Sequence, residues 1–270
     1  MAVIESRFAD IGWMDALSGR DTPLRRIDPR AKLLATLGFI LAVLSFPKYE
    51  VAGLLPFFLY PVVLMSIGDV PVAFVLRRLA VVAPFAVFVG MFNPLLDRQV
   101  VAGVGPWVMT GGWLSFASIL LRFALTVGAT LVVVAGTGIH DVCRGLGALG
   151  VPAAFTAQVL FLYRYLFVLV DDGMRMARAR ALRSFGGRGM GMRVYGHMLG
   201  SLLLRTMGRA ERIHLAMRCR GFDGQVRTLT RLRFGFADAL FLLGWSTAFV
   251  LLRCFDLPRR VGGWILGAGT

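Results

Sequence analysis

The chain has 270 residues, of which 57% are hydrophobic and 17% are charged, and its mean hydropathy is +0.71. Average soluble domains are about 45–50% apolar and about 25% charged, so this composition excludes an ordinary soluble protein and favours a membrane protein. The formal net charge of +15 would suit a nucleic-acid binder, but such a protein would not also bury several long apolar runs; in a membrane protein the charge indicates basic cytoplasmic loops.

Three apolar runs occupy the first third of the chain. Residues 31–46 and 51–67 are separated only by PKYE, which predicts two antiparallel spans joined by a tight turn. A third run covers 79–92, and a glycine-rich, almost uncharged connection follows at 93–113. The first two runs are slightly shorter than the roughly 20 residues that a bilayer core requires, so flanking residues must contribute to them.

Two later apolar runs, at 114–136 and 234–252, bring the predicted number of spans to about five. Basic residues at 25–32 precede the first span, Arg77 and Arg78 separate the second from the third, and the largest basic cluster lies between the fourth and the fifth. The positive-inside rule then predicts a cytoplasmic N-terminus. We therefore expect an all-α, polytopic helical membrane protein.

The segment between the last two spans is rich in arginine and is predicted to be a cytoplasmic helical module. Residues 175–233 contain 14 arginines and only two acids. Two long helices are expected there, at about 153–184 and about 193–220, separated by the helix breaker GGRGMG at 186–191. The chain thus divides into three predicted parts: an N-terminal cytoplasmic segment with spans one to four at 1–136, the helical module at 137–233, and the last span at 234–270.

One face of the second long helix is predicted to pack against protein. Six of its residues alternate steps of four and three, the spacing of a helix seam: Leu199, Leu203, Thr206, Ala210, Ile213 and Met217. Arg205, Arg209 and Arg212 form a separate stripe. We expect the first set to be packed and the arginine stripe to face water or a partner.

Both long helices end on the same short motif. LRSFGG at 182–187 and CRGFDG at 219–224 both read x-Arg-small-Phe-x-Gly, and the last glycine of each is expected to end its helix. A cation at a helix C-terminus is favoured by about 0.3–1 kcal/mol, which explains one arginine per end but not the matched phenylalanine and glycine. Two copies of one ending predict two docking sites; the alternatives are binding of anionic lipid or simple solvation.

Chemistry based on a bound nucleotide or metal is not predicted for this chain. A P-loop requires a lysine after its glycines, and the last lysine is Lys48. His140 and Cys143 lie three residues apart, but two ligands without a third make a weak metal site, and a histidine beside a buried thiol is the preferred interpretation. Three cysteines without CxxC spacing indicate neither a disulfide framework nor a zinc site.

Two arginines, Arg122 and Arg164, interrupt apolar runs, where a charge at mid-membrane costs about 2.5–3.5 kcal/mol. Each is expected to pair with an acid, such as Asp97, Asp171 or Asp238, or to face a partner subunit.

Several stretches together resemble a known family. They are IDPRAKLL at 27–34, LSFPKYE at 44–50, GDVPV at 68–72, PFAVFVGMFNPLLD at 84–97 and the two arginine endings. The chain resembles the transmembrane coupling subunit, or T component, of energy-coupling factor (ECF) importers, and within that family the cobalt-system member CbiQ.

The resemblance implies two long coupling helices whose tips dock into grooves on two ATP-binding ATPase subunits. Those tips would be Leu182, Arg183 and Ser184 in the first helix and Cys219, Arg220 and Gly221 in the second. The other implied partners are membrane lipid, a substrate-binding membrane subunit for a metal ion and, left open, a small accessory membrane subunit; nucleic acid is not expected.

The resemblance also implies a non-catalytic subunit without a cofactor of its own, because ATP and Mg would be bound by the partner ATPases. The expected location is the inner (cytoplasmic) membrane, with the coupling helices on the cytoplasmic side. Cobalt is the preferred cargo by resemblance alone, with nickel close behind.

Two alternative functions are a stand-alone secondary transporter or channel and a membrane enzyme acting on lipid. The first would normally place ionisable groups near the membrane midplane, whereas acids are almost absent from the predicted spans. The second would require a carboxylate or histidine constellation with suitable spacing, which the sequence does not show.

Overall fold

A computed structural model of the chain describes residues 22–48, 51–96, 100–104, 107–183, 191–224, 226, 232 and 234–254. Its elements, in chain order, are α1 (Pro23–Arg26), α2 (Pro29–Leu44), a 3-10 helix (Ala52–Phe58), α3 (Leu59–Gly68), α4 (Val72–Leu96), β1 (Val100–Val104), β2 (Trp107–Thr110), α5 (Gly111–Thr137), α6 (Ile139–Ala148), α7 (Ala153–Arg183), α8 (Met192–Cys219) and α9 (Phe236–Cys254). The predicted helical membrane fold is confirmed. The two short strands form an antiparallel hairpin within the glycine-rich connection.

Four of the described helices are long and apolar enough to cross a membrane: α4 up to Pro94, α5, α7 and α9. Helices α4, α5 and α9 coincide with predicted spans. The other two predicted spans correspond to α2, which has 16 residues, and to the shorter apolar helix Ala52–Gly68. Helix α7, predicted as the first coupling helix, is also long and apolar enough to cross a membrane, because its first half is almost entirely apolar.

The described chain divides into two compact units, and the border falls inside α6, between Gly145 and Leu146. Unit 1 contains α1 to α5, the first part of α6, and α9. Unit 2 contains the end of α6 together with α7 and α8.

An aromatic cluster joins α2, α3 and α9 at the core of unit 1. The rings of Phe39 and Tyr60 stack with centroids 4.7 Å apart, and Trp245 and Phe249 meet the Tyr60 ring edge-on at 4.8 and 5.2 Å. Each such pair adds about 0.5–1.5 kcal/mol beyond the burial of its area. The cluster therefore holds the last helix of the chain against the first long one.

Unit 2 is built on an antiparallel pair of helices, α7 and α8. Asp172 of α7 forms an ion pair with Arg209 of α8 at 2.9 Å. A side chain placed at Gly173 would contact Leu202 at 3.8 Å, so the two helices approach closely there. At the far end of the pair, the ring of Phe222 lies 6.1 Å from that of Phe161.

Candidate functional site

The end of α8, which carries the second predicted docking tip, adopts a tight hydrogen-bonded turn. Arg220 is the C-cap residue, and Gly221 follows with φ +80°. The N–H of Gly221 donates to the carbonyl of Arg218, and the N–H of Phe222 donates to that of Met217, both at 3.0 Å. This is the Schellman pattern, in which a residue with positive φ lets the chain turn back and satisfy the last carbonyls.

The position of that turn corrects one expectation. The sequence placed the helix-ending glycine at Gly224, but α8 ends at Cys219 and Gly221, inside the tip, is the residue that reverses the chain. Glycine adopts positive φ at no steric cost, whereas a residue with a Cβ does so only with strain. The tip is therefore the turn itself, and Arg220 projects from it.

Phe222 attaches this turn to the body of unit 2. Its ring is half-buried, lies beside Phe161 of α7, and shares a groove wall with Met217. A hydrophobic residue at this position of a Schellman motif commonly packs on the preceding helical turn. The phenylalanine in the repeated motif thus has a structural role in the second copy, namely to fix the orientation of the arginine before it.

Both tip arginines are exposed to solvent. Leu182 beside Arg183 is 85% exposed, and Cys219, Arg220 and Gly221 are exposed as well. No hydrogen bond or ion pair to another described residue engages the guanidinium of Arg183 or Arg220. Ser184, the third residue of the first tip, lies outside the described residues, as does most of the predicted breaker at 186–191.

Two arginines along the stems of the helices are ion-paired, unlike those at the tips. Arg175 pairs with Asp171 one turn earlier on α7, and Arg209 pairs with Asp172 across the helix pair. Two acids of unit 2 therefore neutralise stem arginines, whereas no described acid pairs with either tip arginine.

The two tips lie far apart in unit 2. The second tip is held beside Phe161, near the start of α7, whereas Arg183 is the last residue of the same helix. The 22 residues between Phe161 and Arg183 span about 33 Å at the α-helical rise of 1.5 Å per residue. A partner that binds both tips must therefore offer two separate sites.

A groove lies between the first half of α7 and the second half of α8 in unit 2. It has a volume of about 680 Å³. Its walls are mostly apolar and include Phe161, Leu162, Leu166, Met207, Ile213 and Met217, with His214 and Gln158 among the few polar groups. Open apolar surface of this kind marks an interaction site for protein or membrane.

The six seam residues predicted on α8 fall into two groups. Thr206, Ala210, Ile213 and Met217 line the groove that faces α7. Leu199 and Leu203 are 67% and 60% exposed, so they do not pack within the described chain. In that half of α8 the contact with α7 is made through Leu202 and Arg209 instead. The arginine stripe is correspondingly divided, because Arg209 is ion-paired with α7.

The two arginines that interrupt apolar runs have different environments. Arg122 of α5 donates to the carbonyls of Phe46 and Pro47, at 3.0 and 2.7 Å. Its partners among the described residues are thus the carbonyls that follow α2, because a cation also suits the negative end of a helix. Arg164 of α7 is exposed, and Asp97 lies outside the described residues.

Cys143 and His140 on α6 do not share one environment. Cys143 is buried, and this burial raises the pKa of its thiol, since the thiolate would lose hydration. His140 is exposed. Within the described residues, no group of three or more His, Cys, Asp or Glu side chains is placed to hold a metal ion.

Sequence reasoning missed a buried charged cluster at the start of α2. Lys32 is only 1% exposed, and the carboxylates that act on its charge belong to Asp28, Asp141 and Asp238. The stretch IDPRAKLL contained the signal, since a lysine four residues after an Asp-Pro helix start lies on the face of the capping aspartate. The sequence did not indicate that Asp141 of α6 and Asp238 of α9 also act on the charge of Lys32.

Most of the chain matches a known protein family. Residues 20–231 match CbiQ, described as cobalt transport protein. The energy-coupling factor transporter transmembrane protein EcfT of Heliobacterium modesticaldum is 25% identical over 253 residues, which cover 86% of this chain and 92% of that protein. The protein of the same name from Lactococcus lactis subsp. cremoris is 24% identical over 219 residues, 76% of this chain and 82% of its own length.

A third relative carries the family's own name. The cobalt transport protein CbiQ of Rhodobacter capsulatus is 26% identical over 115 residues, which are 42% of this chain and 47% of that protein.

Proposed function

We propose a function for this chain, which belongs to the CbiQ family of cobalt transport proteins. It is the non-catalytic transmembrane coupling subunit of an ATP-driven ECF-type metal-ion importer. The observation that carries the proposal is the pair of exposed arginine tips. Arg183 and Arg220 lie at opposite ends of an antiparallel helix pair, and no described residue pairs with either guanidinium.

Each tip would dock into a groove on one of two ATPase subunits. Arginine suits this role because its planar guanidinium offers five donors, stays charged when partly buried, and binds carboxylates or carbonyls bidentately. A lysine would supply only a flexible point charge. The turn at Gly221 and the ring of Phe222 hold the backbone that carries Arg220 in a defined position, which reduces the entropy lost on docking.

ATP binding would bring the two ATPase subunits together and move their docking grooves. Helices α7 and α8 would follow, because their tips are held, and would reorient the substrate-binding membrane subunit so that it releases its cargo inside. The apolar groove between α7 and α8 and the exposed Leu199 and Leu203 are the surfaces proposed to hold that subunit. ATP and Mg belong to the ATPases, and cobalt is the proposed cargo.

The docking proposal is tested by co-purification of the tagged protein with its candidate ATPases. The variants are Arg183→Glu, Arg220→Glu and the double change, and ATP hydrolysis is measured alongside. Truncating or reversing one partner of a buried charge pair costs about 2–5 kcal/mol. Each single change should therefore weaken binding clearly, and the double change should abolish co-purification while the protein still inserts in the membrane.

A matched control separates docking from a general loss of positive charge. Arg193→Glu makes the same charge change at an exposed position at the start of α8, and it should leave co-purification unchanged. If the double tip variant still binds ATPase and hydrolysis persists, the docking proposal is wrong. If the control and the tip variants lose binding to acidic-lipid vesicles alike, the arginines serve the membrane. Transport by the purified chain without an ATPase would favour a secondary transporter.

A further inference from the structure

Lys32 lies within a buried charged cluster of unit 1. Its side chain is only 1% exposed, and its Nζ donates to the carbonyl of Leu24 at 3.0 Å. Asp141, Asp28 and Asp238 are the acids whose charges act on it, and Arg25 opposes them. These carboxylates offset part of the cost of burying the ammonium, and the hydrogen bond to Leu24 fixes its position.

Two of these carboxylates already bind backbone, which fixes their positions. Asp238 accepts from the N–H of Asp28 and from that of Gly235, both at 2.7 Å. Asp28 accepts from the N–H of Arg30 at 2.8 Å and so caps α2. The start of α9 is thereby attached to the start of α2, although the two residues are 210 positions apart.

The carbonyl that accepts the hydrogen bond from Lys32 belongs to Leu24. The Leu24 side chain fills a gap between two helices, and we call it the wedge. Leu24 of α1 is completely buried. A Cβ placed on Gly68 would lie 2.8 Å from Leu24 Cδ2, and one on Gly136 would lie 2.7 Å from it. The wedge therefore occupies the space between the ends of α3 and α5, which only glycines leave open at those positions.

Helix α6 contacts the start of α2 next to this cluster. A Cβ on Gly145 would lie 2.9 Å from Leu33 and 3.1 Å from Pro29, so α6 approaches the start of α2 as closely as glycine permits. Asp141 acts on Lys32 and also pairs with Arg144 at 2.8 Å. Cys143 is buried on the same helix.

We infer that the start of α2, where Lys32 is buried and Pro29 and Leu33 lie against Gly145, anchors α6 to unit 1, and that this anchor makes motion of the coupling helices productive. Helix α6 is where the chain leaves unit 1, since the border between the units falls after Gly145 and α7 follows at Ala153. A pull that arrives along the chain moves the membrane helices only if α6 stays attached to them. The inference rests on the proposed coupling function and assigns Lys32 as a positioning residue.

The attachment of α6 has a natural reporter in Cys143. In the full-length protein in nanodiscs, maleimide labelling of each cysteine is quantified by peptide mass spectrometry, and exposed Cys219 serves as the internal reference. Lys32→Met keeps the length of the side chain and removes its charge. We expect it to label Cys143 at least about tenfold faster than the wild type, because local opening of α6 becomes more frequent. Labelling of Cys219 should not change.

Coupling is measured on the same variants in the complete complex, as metal uptake per ATP hydrolysed. Lys32→Met should lower this ratio at least about fivefold by uncoupling hydrolysis from transport, while co-purification with the ATPases stays as in the wild type. Lys32→Arg retains a buried cation and should recover most of both readouts. Failure of the tip variants Arg183→Glu and Arg220→Glu to release ATPase would overturn the proposed function but not the attachment of α6.

The attachment is overturned if Lys32→Met leaves Cys143 protected, and its role in coupling is overturned if Cys143 labels faster while uptake per ATP is unchanged. Should Lys32→Met not give a monodisperse folded protein, Leu33→Ala carries the test. That change removes the side chain that lies against Gly145 of α6 without stranding a charge, so we expect the same two effects at a smaller size, and their absence is equally decisive.

Discussion

The two units of the protein use charge in opposite ways. At the tips of unit 2, Arg183 and Arg220 are exposed and no described residue pairs with them. At the start of α2 in unit 1, Lys32 is buried, donates to the carbonyl of Leu24, and has its charge partly offset by Asp28, Asp141 and Asp238. Both are basic residues in an arginine-rich chain, and only their surroundings distinguish a surface for a partner from an internal attachment.

The difference shows that net charge alone does not locate function in a membrane protein. Removing a compensated buried charge leaves its partners unpaired, so the change acts on stability and internal coupling. Removing an exposed charge leaves the fold intact and acts on association. Variants in the two regions should therefore separate cleanly into those that change thermal stability and those that change binding.

The largest effect on stability is expected from Asp238→Ala. The change removes the acceptor of two backbone N–H groups and one of the charges that compensates Lys32. Each buried N–H group left without an acceptor should cost about 1–3 kcal/mol of the free energy of unfolding, and the apparent melting temperature in detergent should fall strongly. Asp238→Asn keeps an oxygen for the N–H of Asp28 and should lose less. Equal melting temperatures for Asp238→Ala and wild type would disprove the role of this cluster.

A second test addresses the wedge at Leu24. Gly136→Leu places a side chain where Leu24 already lies, with its Cβ 2.7 Å from Leu24 Cδ2, and overpacking of this kind costs about 1–3 kcal/mol. Gly38→Leu on α2 is the matched control, because its Cβ meets no atom within 4 Å. Thermal unfolding should show a loss for the first change only, and Leu24→Ala should partly restore Gly136→Leu. A loss of the same size in both variants would mean that the effect is general.

At the tips, a smaller and purely functional effect is expected from Phe222→Ala. The change removes the ring that holds the turn of Arg220 against Phe161, so the guanidinium must be ordered on docking. The affinity for the ATPase should fall about threefold to tenfold, which corresponds to about 0.7–1.4 kcal/mol. Phe155→Ala removes an exposed aromatic of α7 and should not change the affinity. Equal affinities for Phe222→Ala and wild type in a titration would show that the ring does not preorganise the tip.

The smallest effect belongs to the ion pair between Asp172 and Arg209. Both side chains are partly exposed and 2.9 Å apart, and such pairs contribute about 0–1 kcal/mol. A double-mutant cycle with Asp172→Asn and Arg209→Gln should give a coupling energy below about 1 kcal/mol by thermal unfolding. A larger value would mean that this pair belongs with the compensated charges of unit 1 and not with the solvated stems.

Much of the candidate site was predictable because it depends on local sequence. The ends of α7 and α8 at Arg183 and Cys219 agree with the predicted ends to within a residue, since a change from apolar to basic composition and a glycine mark them. Of the predicted seam, Thr206, Ala210, Ile213 and Met217 line the groove that faces α7. Leu199 and Leu203 are exposed, because periodicity shows that a face is apolar but not whether the chain itself covers it.

The partners of the charged groups were not predictable from one sequence. Arg122 was expected to meet an acid or a partner subunit, and among the described residues it binds the carbonyls of Phe46 and Pro47. Gly224 was expected to end α8, yet Gly221 turns the chain. In each case several nearby residues were chemically suitable, and the choice among them depended on the approach of a distant helix or on one residue of backbone geometry.

By itself, the amino-acid sequence determined the class of protein, the positions of its long helices and the arginine endings, because hydropathy, helical period and helix-ending residues act over a few turns of chain. Tertiary structure alone decided which charges are compensated and which are free. Asp238 accepts a hydrogen bond from the N–H of Asp28, 210 positions away in the chain. Lys32 donates a hydrogen bond to the carbonyl of Leu24. Hydrogen bonds and burial act over a few ångströms in space, so they depend on packing that no local pattern records.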